Sequence, residues 1–161
     1  MYINNPYLIE NLKFDLRIYV LIMGINPIRI FIYDEGLGRF ATQKYEKVNN
    51  RNIKDSCMHL TNYAINRKNK NFIFNTSEKV MDKGHKRSLS AIYTYLRKRG
   101  VNIEKVKEQI DKVIVKTLLV GEPMLKHTYN LSRSNENLDD VCFQILGLDI
   151  LINEKLEPIL L

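Results

Sequence analysis

The stretch from Lys13 to Ile22 constrains the fold most, because apolar and polar residues alternate at its start and apolar residues then continue at every second position. Successive side chains of a β-strand point to opposite faces of the sheet. The alternation predicts a strand that presents Lys13, Asp15 and Arg17 in a row on one face. The other face holds the apolar residues Phe14, Leu16, Ile18, Val20 and Ile22. A solvated face could carry the same charges, so the rest of the chain must decide between a solvated face and a site.

Composition indicates one folded domain with a positive charge. The chain has 161 residues, of which 45% are hydrophobic, enough for a single core. Its formal net charge is +7 and its pI is about 9.4, which favours an acidic partner such as a nucleic acid, an acidic polypeptide or a nucleotide. Nine tyrosines interleave with the basic residues, but no RNA-binding or zinc-finger signature accompanies them. The charge therefore indicates an anionic substrate rather than nucleic acid.

Signals for other classes of protein are missing from the sequence. No apolar run reaches the ~18 residues of a membrane span, and residues 1–6 lack the layout of a signal peptide. Cys57 and Cys142 lie far apart without a CxxC or a His-spaced companion. We therefore expect an intracellular protein without membrane association, zinc site or disulfide scaffold.

The segments that follow the central strand predict an antiparallel hairpin. A Gly-Ile-Asn-Pro turn at residues 24–27 precedes a β-rich run at residues 28–33. Glycines within residues 34–38 predict a second turn, and residues 39–41 a third, short extended piece.

Two helices are predicted in the second half of the chain. Apolar residues from Leu89 to Leu96 keep a helical stripe, Ser88 can cap its start, and Gly100 follows its last turn. A longer helix is predicted over residues 103–120, where Gly121 and Pro123 kink or end it. Residues 130–140 read as a polar loop.

Residues 58–66 combine polar and apolar side chains in an unusual way. His59, Thr61 and Asn62 stand in an otherwise apolar stretch. Such groups could form a hydrogen-bonded turn network or a set of ligand-binding groups, and both interpretations stay open. The basic residues of the following segment, 67–87, suit the capture of an anion.

The last long element is a nearly continuous apolar run at residues 141–152. Such a run predicts a strand that is covered on both faces, with Asp149 partly buried. Burying a carboxylate without a partner is costly, so Asp149 is expected to meet either a metal ion or an arginine distant in sequence.

Five sequence blocks, in order and spacing, resemble the catalytic core of tubulin tyrosine ligase-like enzymes over nearly the whole chain. The blocks lie at residues 13–17, 35–42, 58–63, 116–119 and 146–151. Two further blocks, at residues 84–89 and 126–129, resemble the polyglutamylase branch rather than tyrosine ligases or glycylases.

The resemblance implies an α+β, ATP-grasp-like domain with an antiparallel sheet and packed helices. In this family, ATP and Mg²⁺ activate a carboxylate as an acyl phosphate, which the amine of an amino acid attacks to form an amide. For this branch the amino acid is L-glutamate, and the acceptors are tubulin C-terminal tails or other acidic proteins. The implied location is the cytoplasm and cytoskeleton, with the cilium, flagellum or basal body as candidates.

The resemblance also assigns roles to individual residues. It implies that Arg17 and Arg39 offset charge that develops during transfer and that His59 lies near the substrate. It implies Asp149 as the Mg²⁺ ligand, since a hard cation prefers carboxylate oxygens. The implied nucleotide-binding residues are Tyr2, Ile3, Lys13, Asp15, Thr61 and Asn62.

Family sequence continues beyond both ends of the resemblance. The chain opens at Met1, where the family carries a lysine, and stops at Leu161, one residue before a Glu-x-Asn metal-binding motif. We therefore expect residues 1–161 to be a partial catalytic domain, truncated at both ends. The alternatives are a catalytically inactive basic module that binds acidic tails, or a glycylase or tyrosine ligase.

Overall fold

The computed structural model describes residues 2–75, 82–132 and 142–161. These residues form a six-stranded antiparallel sheet in the order β4-β3-β2-β5-β6, with β1 paired to β2. The elements are β1 (Leu8–Ile9), β2 (Leu12–Met23), β3 (Arg29–Lys44), α1 (Ser56–His59), α2 (Tyr63–Asn66), β4 (Lys86–Ser88), α3 (Leu89–Lys98), α4 (Ile103–Ser132), β5 (Phe143–Ile152) and β6 (Pro158–Leu160).

Strand β2 lies at the centre of the sheet and alternates as predicted. Its five even-numbered apolar side chains are buried in the hydrophobic core together with the apolar stripes of α3 and α4. Burying side chains of this size contributes about 1.5–3 kcal/mol each. The two helices therefore cover one face of β2, and the charged side chains of β2 are left for the other face.

Helix α3 confirms the sequence prediction. The Ser88 hydroxyl accepts a hydrogen bond from the amide of Ala91, which satisfies one of the free N–H groups of the first turn. Gly100 follows the helix with a φ of +81°, a conformation that glycine adopts without steric cost.

Helix α4 is longer than predicted, because it continues through Pro123 to Ser132. A proline removes one backbone hydrogen bond, and the turns on either side still form theirs. Past Leu118, the residues of α4 are at least partly exposed, and Val120 and Met124 are among the most exposed. The predicted end of the helix at about Val120 was wrong, since neither Gly121 nor Pro123 ends it.

Strand β3 replaces the predicted second turn and third short strand. Its pairing with β2 changes register between Ile18, opposite Gly36, and Val20, opposite Ile32. Three residues of β3, at positions 33–35, therefore lie opposite the single residue Tyr19 of β2. This bulge absorbs the segment that the glycines suggested was a turn. A Cβ at Gly36 would collide with the carbonyl oxygen of Arg17, so glycine serves close approach here and not chain reversal.

Strand β5 is covered on both faces only at its end. Ile150, Leu151 and Ile152 are buried, whereas Phe143 is 68% exposed and Ile145 59% exposed. The prediction of coverage along the whole strand was wrong, because the long helices α3 and α4 pack on one face of the sheet only. Asp149 is half-buried, as predicted.

Parts of two predicted loops lie outside the described residues, at 76–81 and 133–141. None of the helices in the described ranges combines the length and hydrophobicity needed to cross a membrane.

Candidate active site

A cleft of about 310 Å³ opens on the face of the sheet opposite α3 and α4. Its walls come from the charged face of β2, from β3, from the segment after α1 and from β5. The lining residues are Tyr2, Ile3, Lys13, Asp15, Arg39, His59, Leu60, Thr61, Asn62, Asp149, Leu151 and Leu161. Nine of the ten residues assigned by resemblance therefore line one cleft, and the tenth, Arg17, contacts Asp149 at its edge.

Two carboxylates and two arginines form a continuous charge network in this cleft. Arg39 Nε donates to Asp15 Oδ1 at 2.9 Å, and Arg39 Nη2 lies 2.8 Å from Asp149 Oδ2. Arg17 holds Asp149 from the other side, with Nε–Oδ1 at 2.5 Å and Nη2–Oδ2 at 3.1 Å. Asp15 is only 1% exposed, so its charge depends on this pairing.

The ion pairs of the network shift the pKa values of Asp149 and Arg39. Burial acts to raise the pKa of Asp149, but hydrogen bonds from Arg17 and Arg39 outweigh it and hold the pKa below its ordinary value. The hydrogen bond to Asp15 raises the pKa of Arg39 further above its already high value. Asp149 and Arg39 are therefore both charged at neutral pH.

Lys13 adds a third cation to the cleft. Its Nζ donates to the carbonyl of His59 at 2.9 Å and lies 4.8 Å from the centre of the Tyr2 ring. Burial lowers the pKa of Lys13, and the negative charge of Asp15 partly opposes that shift. Because Lys13 donates to a carbonyl and not to a carboxylate, its charge is available to an anionic ligand.

The His59 ring is held at both nitrogens. Its Nε2 lies 2.9 Å from the carbonyl of Asn52, and its Nδ1 lies 2.6 Å from the hydroxyl of Tyr2. A carbonyl only accepts, so Nε2 carries the proton, and in the neutral ring Nδ1 accepts from Tyr2. His59 thus joins the N-terminal segment to the loop before α1, which places Tyr2 over Lys13.

Thr61 connects the segment after α1 to the charge network. Its hydroxyl donates to Asp15 Oδ2 at 2.8 Å. Asn62 lines the cleft as the next residue and has an exposed side chain. The turn-network interpretation of residues 58–66 is confirmed for Asn66, whose amide bonds inside the protein. The ligand-binding interpretation of His59, Thr61 and Asn62 stays a prediction.

Sequence reasoning missed several residues of the cleft. Leu60, Leu151 and Leu161 form apolar parts of its wall. Alternation along β5 places Leu151 on the same face as Asp149, a signal that could have found it. A larger cavity, of about 670 Å³, lies beside α3 and the Glu10–Arg87 ion pair, but it gathers none of the residues assigned by resemblance.

The side chains of the cleft fit a nucleotide phosphate group. Lys13, Arg17 and Arg39 oppose the two carboxylates Asp15 and Asp149, so the network keeps one excess positive charge. Mg²⁺ is commonly held by one or two carboxylates together with substrate phosphates. Asp149 could supply such a carboxylate. Among the described residues, no three acidic, histidine or cysteine side chains group closely enough to hold a metal by themselves.

The sequence of the chain matches the model of a known protein family. The model of the tubulin-tyrosine ligase family matches residues 1–161, and this chain belongs to that family. The predicted fold class, an α+β, ATP-grasp-like domain with an antiparallel sheet and packed helices, is confirmed.

The chain is similar to curated polyglutamylases. A probable beta-tubulin polyglutamylase of Tetrahymena thermophila is 48% identical over 157 residues, which cover 98% of this chain and 13% of that protein. Human tubulin polyglutamylase TTLL6 is 45% identical over 161 residues, which cover 100% of this chain and 18% of that protein. Mouse tubulin polyglutamylase TTLL7 is 42% identical over 162 residues, which cover 99% of this chain and 17% of that protein. The predicted resemblance to the polyglutamylase branch is confirmed, and the chain spans less than a fifth of each of these three relatives.

Proposed function

We propose that this chain forms part of an ATP- and Mg²⁺-dependent ligase that adds L-glutamate to acidic protein tails, with tubulin tails as the substrate. The family and the printed names of the relatives support this reaction class. The proposed location is the cytoskeleton, including the cilium, flagellum or basal body. Nucleic acid and membranes are not proposed partners.

One observation carries the proposal: the residues that the resemblance assigns converge on one cationic cleft although they come from distant parts of the chain. Arg17 and Asp149, for example, are 132 residues apart. A solvated strand face would not bring such side chains together. A site for an anion would, because fixed cations in a partly buried cleft stabilise phosphate more than exposed cations do.

ATP supplies the phosphoryl group that turns the acceptor carboxylate into an acyl phosphate, and Mg²⁺ neutralises phosphate charge. Lys13 and Arg39 are proposed to bind phosphate oxygens, because both are fixed by hydrogen bonds before a ligand arrives. Asp15 orients Arg39 by accepting from it through both oxygens, and Oδ2 also accepts from Thr61. Asp149 is proposed to hold Mg²⁺ through a carboxylate oxygen.

To bind Mg²⁺, the Asp149 carboxylate would have to give up its contacts with Arg17 and Arg39. Both of its oxygens now accept from arginines. Phosphate oxygens offer Arg17 and Arg39 an equivalent bidentate partner, so ligand binding can release Asp149 to the metal without leaving an arginine uncompensated.

The test is ATP-dependent incorporation of labelled glutamate into a tubulin-tail peptide by the full gene product that contains this chain. We expect Lys13→Met to reduce incorporation by at least about a hundredfold, since it removes a cation fixed in the site. The exposed Lys112 of α4 provides the matched control, and Lys112→Met should retain activity. Equal activity in the two variants would refute the proposed site.

A second candidate is the inactive module that binds acidic tails through charge alone. The internal pairing of both cleft carboxylates favours it, because neither is free for a metal in this state. Tail binding by the full gene product without any ATP-dependent incorporation would support this candidate over the ligase.

A further inference from the structure

Asn66, the last residue of α2, uses every hydrogen-bonding position of its side chain. It is fully buried, at 0% exposure. Its Oδ1 accepts from the amide and the hydroxyl of Thr42, each at 2.9 Å. Its Nδ2 donates to the carbonyls of Leu60 at 2.8 Å and Asn62 at 3.2 Å. A primary amide offers two donors and two acceptor lone pairs, so all four are occupied.

The two carbonyls that Asn66 holds belong to the residues on either side of Thr61. The Leu60 carbonyl belongs to the peptide group that precedes Thr61, and the Asn62 carbonyl belongs to the peptide group that follows Asn62. One side chain thereby fixes the backbone on both sides of Thr61. Thr61 in turn donates to Oδ2 of Asp15, and Asp15 accepts from Arg39 through both of its oxygens. Arg39 and Thr42 both lie on β3, so the contacts close into a ring that begins and ends on the same strand.

We propose that Asn66 is a positioning residue that fixes Thr61 against Asp15 and so sets the cleft for its ligand. This inference rests on the proposed function, because it concerns the same cleft. Asn66 does not line the cleft, so it acts only through the backbone of residues 60–62. No other residue type of similar size can accept twice from Thr42 and donate twice to backbone carbonyls.

A double-mutant cycle on Mg²⁺-ATP binding by the full gene product that contains this chain tests the proposal. Thr61→Val and Asn66→Ala should each weaken binding about fivefold, the effect of one lost hydrogen bond. If Asn66 acts through Thr61, the double variant should bind no more weakly than the weaker single variant. Losses that add, or an Asn66→Ala variant with wild-type affinity, would overturn the proposal.

The matched control is Asn153→Ala. Asn153 also fixes a turn through its side chain, accepting from the amides of Lys155 and Glu157, but it lies outside the cleft lining. It should therefore leave Mg²⁺-ATP affinity unchanged. Equal weakening by Asn153→Ala would mean that general destabilisation explains the effect, and the positioning role would be wrong.

A milder variant covers the case in which Asn66→Ala does not fold. Thr42→Val removes only the hydroxyl donor to Asn66 and keeps the backbone donor. It should weaken Mg²⁺-ATP binding in the wild-type background and have no effect in the Thr61→Val background. An equal effect in both backgrounds would refute the proposal.

A measurement without nucleotide separates this inference from the proposed function. In the ligand-free chain, the ¹³C shift of the Asp15 carboxyl carbon should change in the same direction in Asn66→Ala, or in Thr42→Val, as in Thr61→Val. A wild-type chain that fails to bind Mg²⁺-ATP but shows this shared change would refute the nucleotide site and retain the positioning role. An Asp15 signal altered by Thr61→Val alone would refute the positioning role.

Discussion

Arg17 and Asp149 face each other across β2 and β5 and are joined by two hydrogen bonds, Nε–Oδ1 at 2.5 Å and Nη2–Oδ2 at 3.1 Å. The register between β2 and β5 therefore brings Arg17, from one sequence block, next to the carboxylate of Asp149, from another. Arg39 reaches the same carboxylate, so Asp149 is shared by two arginines.

The first prediction concerns Asp149→Asn. We expect the variant to fold, with a loss of about 1 kcal/mol in the free energy of unfolding, because Arg39 keeps Asp15 as its partner and Arg17 is partly exposed. We also expect it to lose the stabilisation that Mg²⁺-ATP gives the wild type, about 2.7 kcal/mol at a hundredfold excess over Kd. Thermal melts of both chains with and without Mg²⁺-ATP measure the two effects.

The exposed Glu154 provides a control for the first prediction, since Glu154→Gln removes a carboxylate outside the cleft. It should keep the full ligand-induced rise in Tm. A wild-type chain without such a rise, together with an Asp149→Asn variant that unfolds, would rule out the metal role and identify Asp149 as a structural acid.

The second prediction compares two glycines of β3. A Cβ at Gly36 would collide with the backbone carbonyl of Arg17, whereas a Cβ at Gly38 would meet the side chain of Ile92. A side chain can move more easily than a paired strand, so Gly36→Ala should destabilise the chain more than Gly38→Ala. Overpacking of this kind costs about 1–3 kcal/mol. Urea unfolding of the two variants checks the order, and the reverse order would show that β2 and β3 separate more readily than the core repacks.

The third prediction concerns acid and the Glu10–Arg87 pair. Hydrogen bonding by Arg87 holds the pKa of Glu10 below its ordinary 4.5, although burial opposes the shift. A depressed carboxyl pKa gives stability that is complete above the unfolded value and is lost as the pH falls through the folded value.

Urea unfolding at several pH values checks this third prediction. Wild type should exceed Glu10→Gln in stability at neutral pH by less than about 1 kcal/mol, because Glu10 is more than half exposed. The difference should disappear between about pH 5 and pH 3. A constant difference across that range would contradict the assignment.

The fourth prediction concerns the basic segment that includes Lys68 and Lys86. If it attracts an acidic tail, binding of a poly-glutamate peptide should weaken as salt rises, because the screening length falls to about 10 Å at 0.1 M salt. Replacing both lysines with glutamine should reduce the salt dependence, whereas Lys112→Gln on α4 should not. Fluorescence anisotropy at low and high salt measures this, and salt-independent binding would argue against an acidic substrate.

The sequence by itself determined the features that depend on near neighbours. The period of two in β2 separated its apolar face from Lys13, Asp15 and Arg17, because alternation is a property of the extended backbone. The helical stripe of α3, its Ser88 cap and Gly100 were predictable for the same reason. The family could be recognised from short sequence blocks and from their order and spacing. Each block is itself a local signal.

Tertiary structure alone decided which groups meet. The identity of the arginine that contacts Asp149 depended on the register of β5 on β2, which places Arg17 opposite it. The bulge in β3, the exposed start of β5 and the continuation of α4 through Pro123 likewise depended on what packs beside each element. The four bonds of Asn66 reach Thr42, 24 residues away on another element. No pattern within a single segment encodes such contacts, since their energies arise only when distant segments pair.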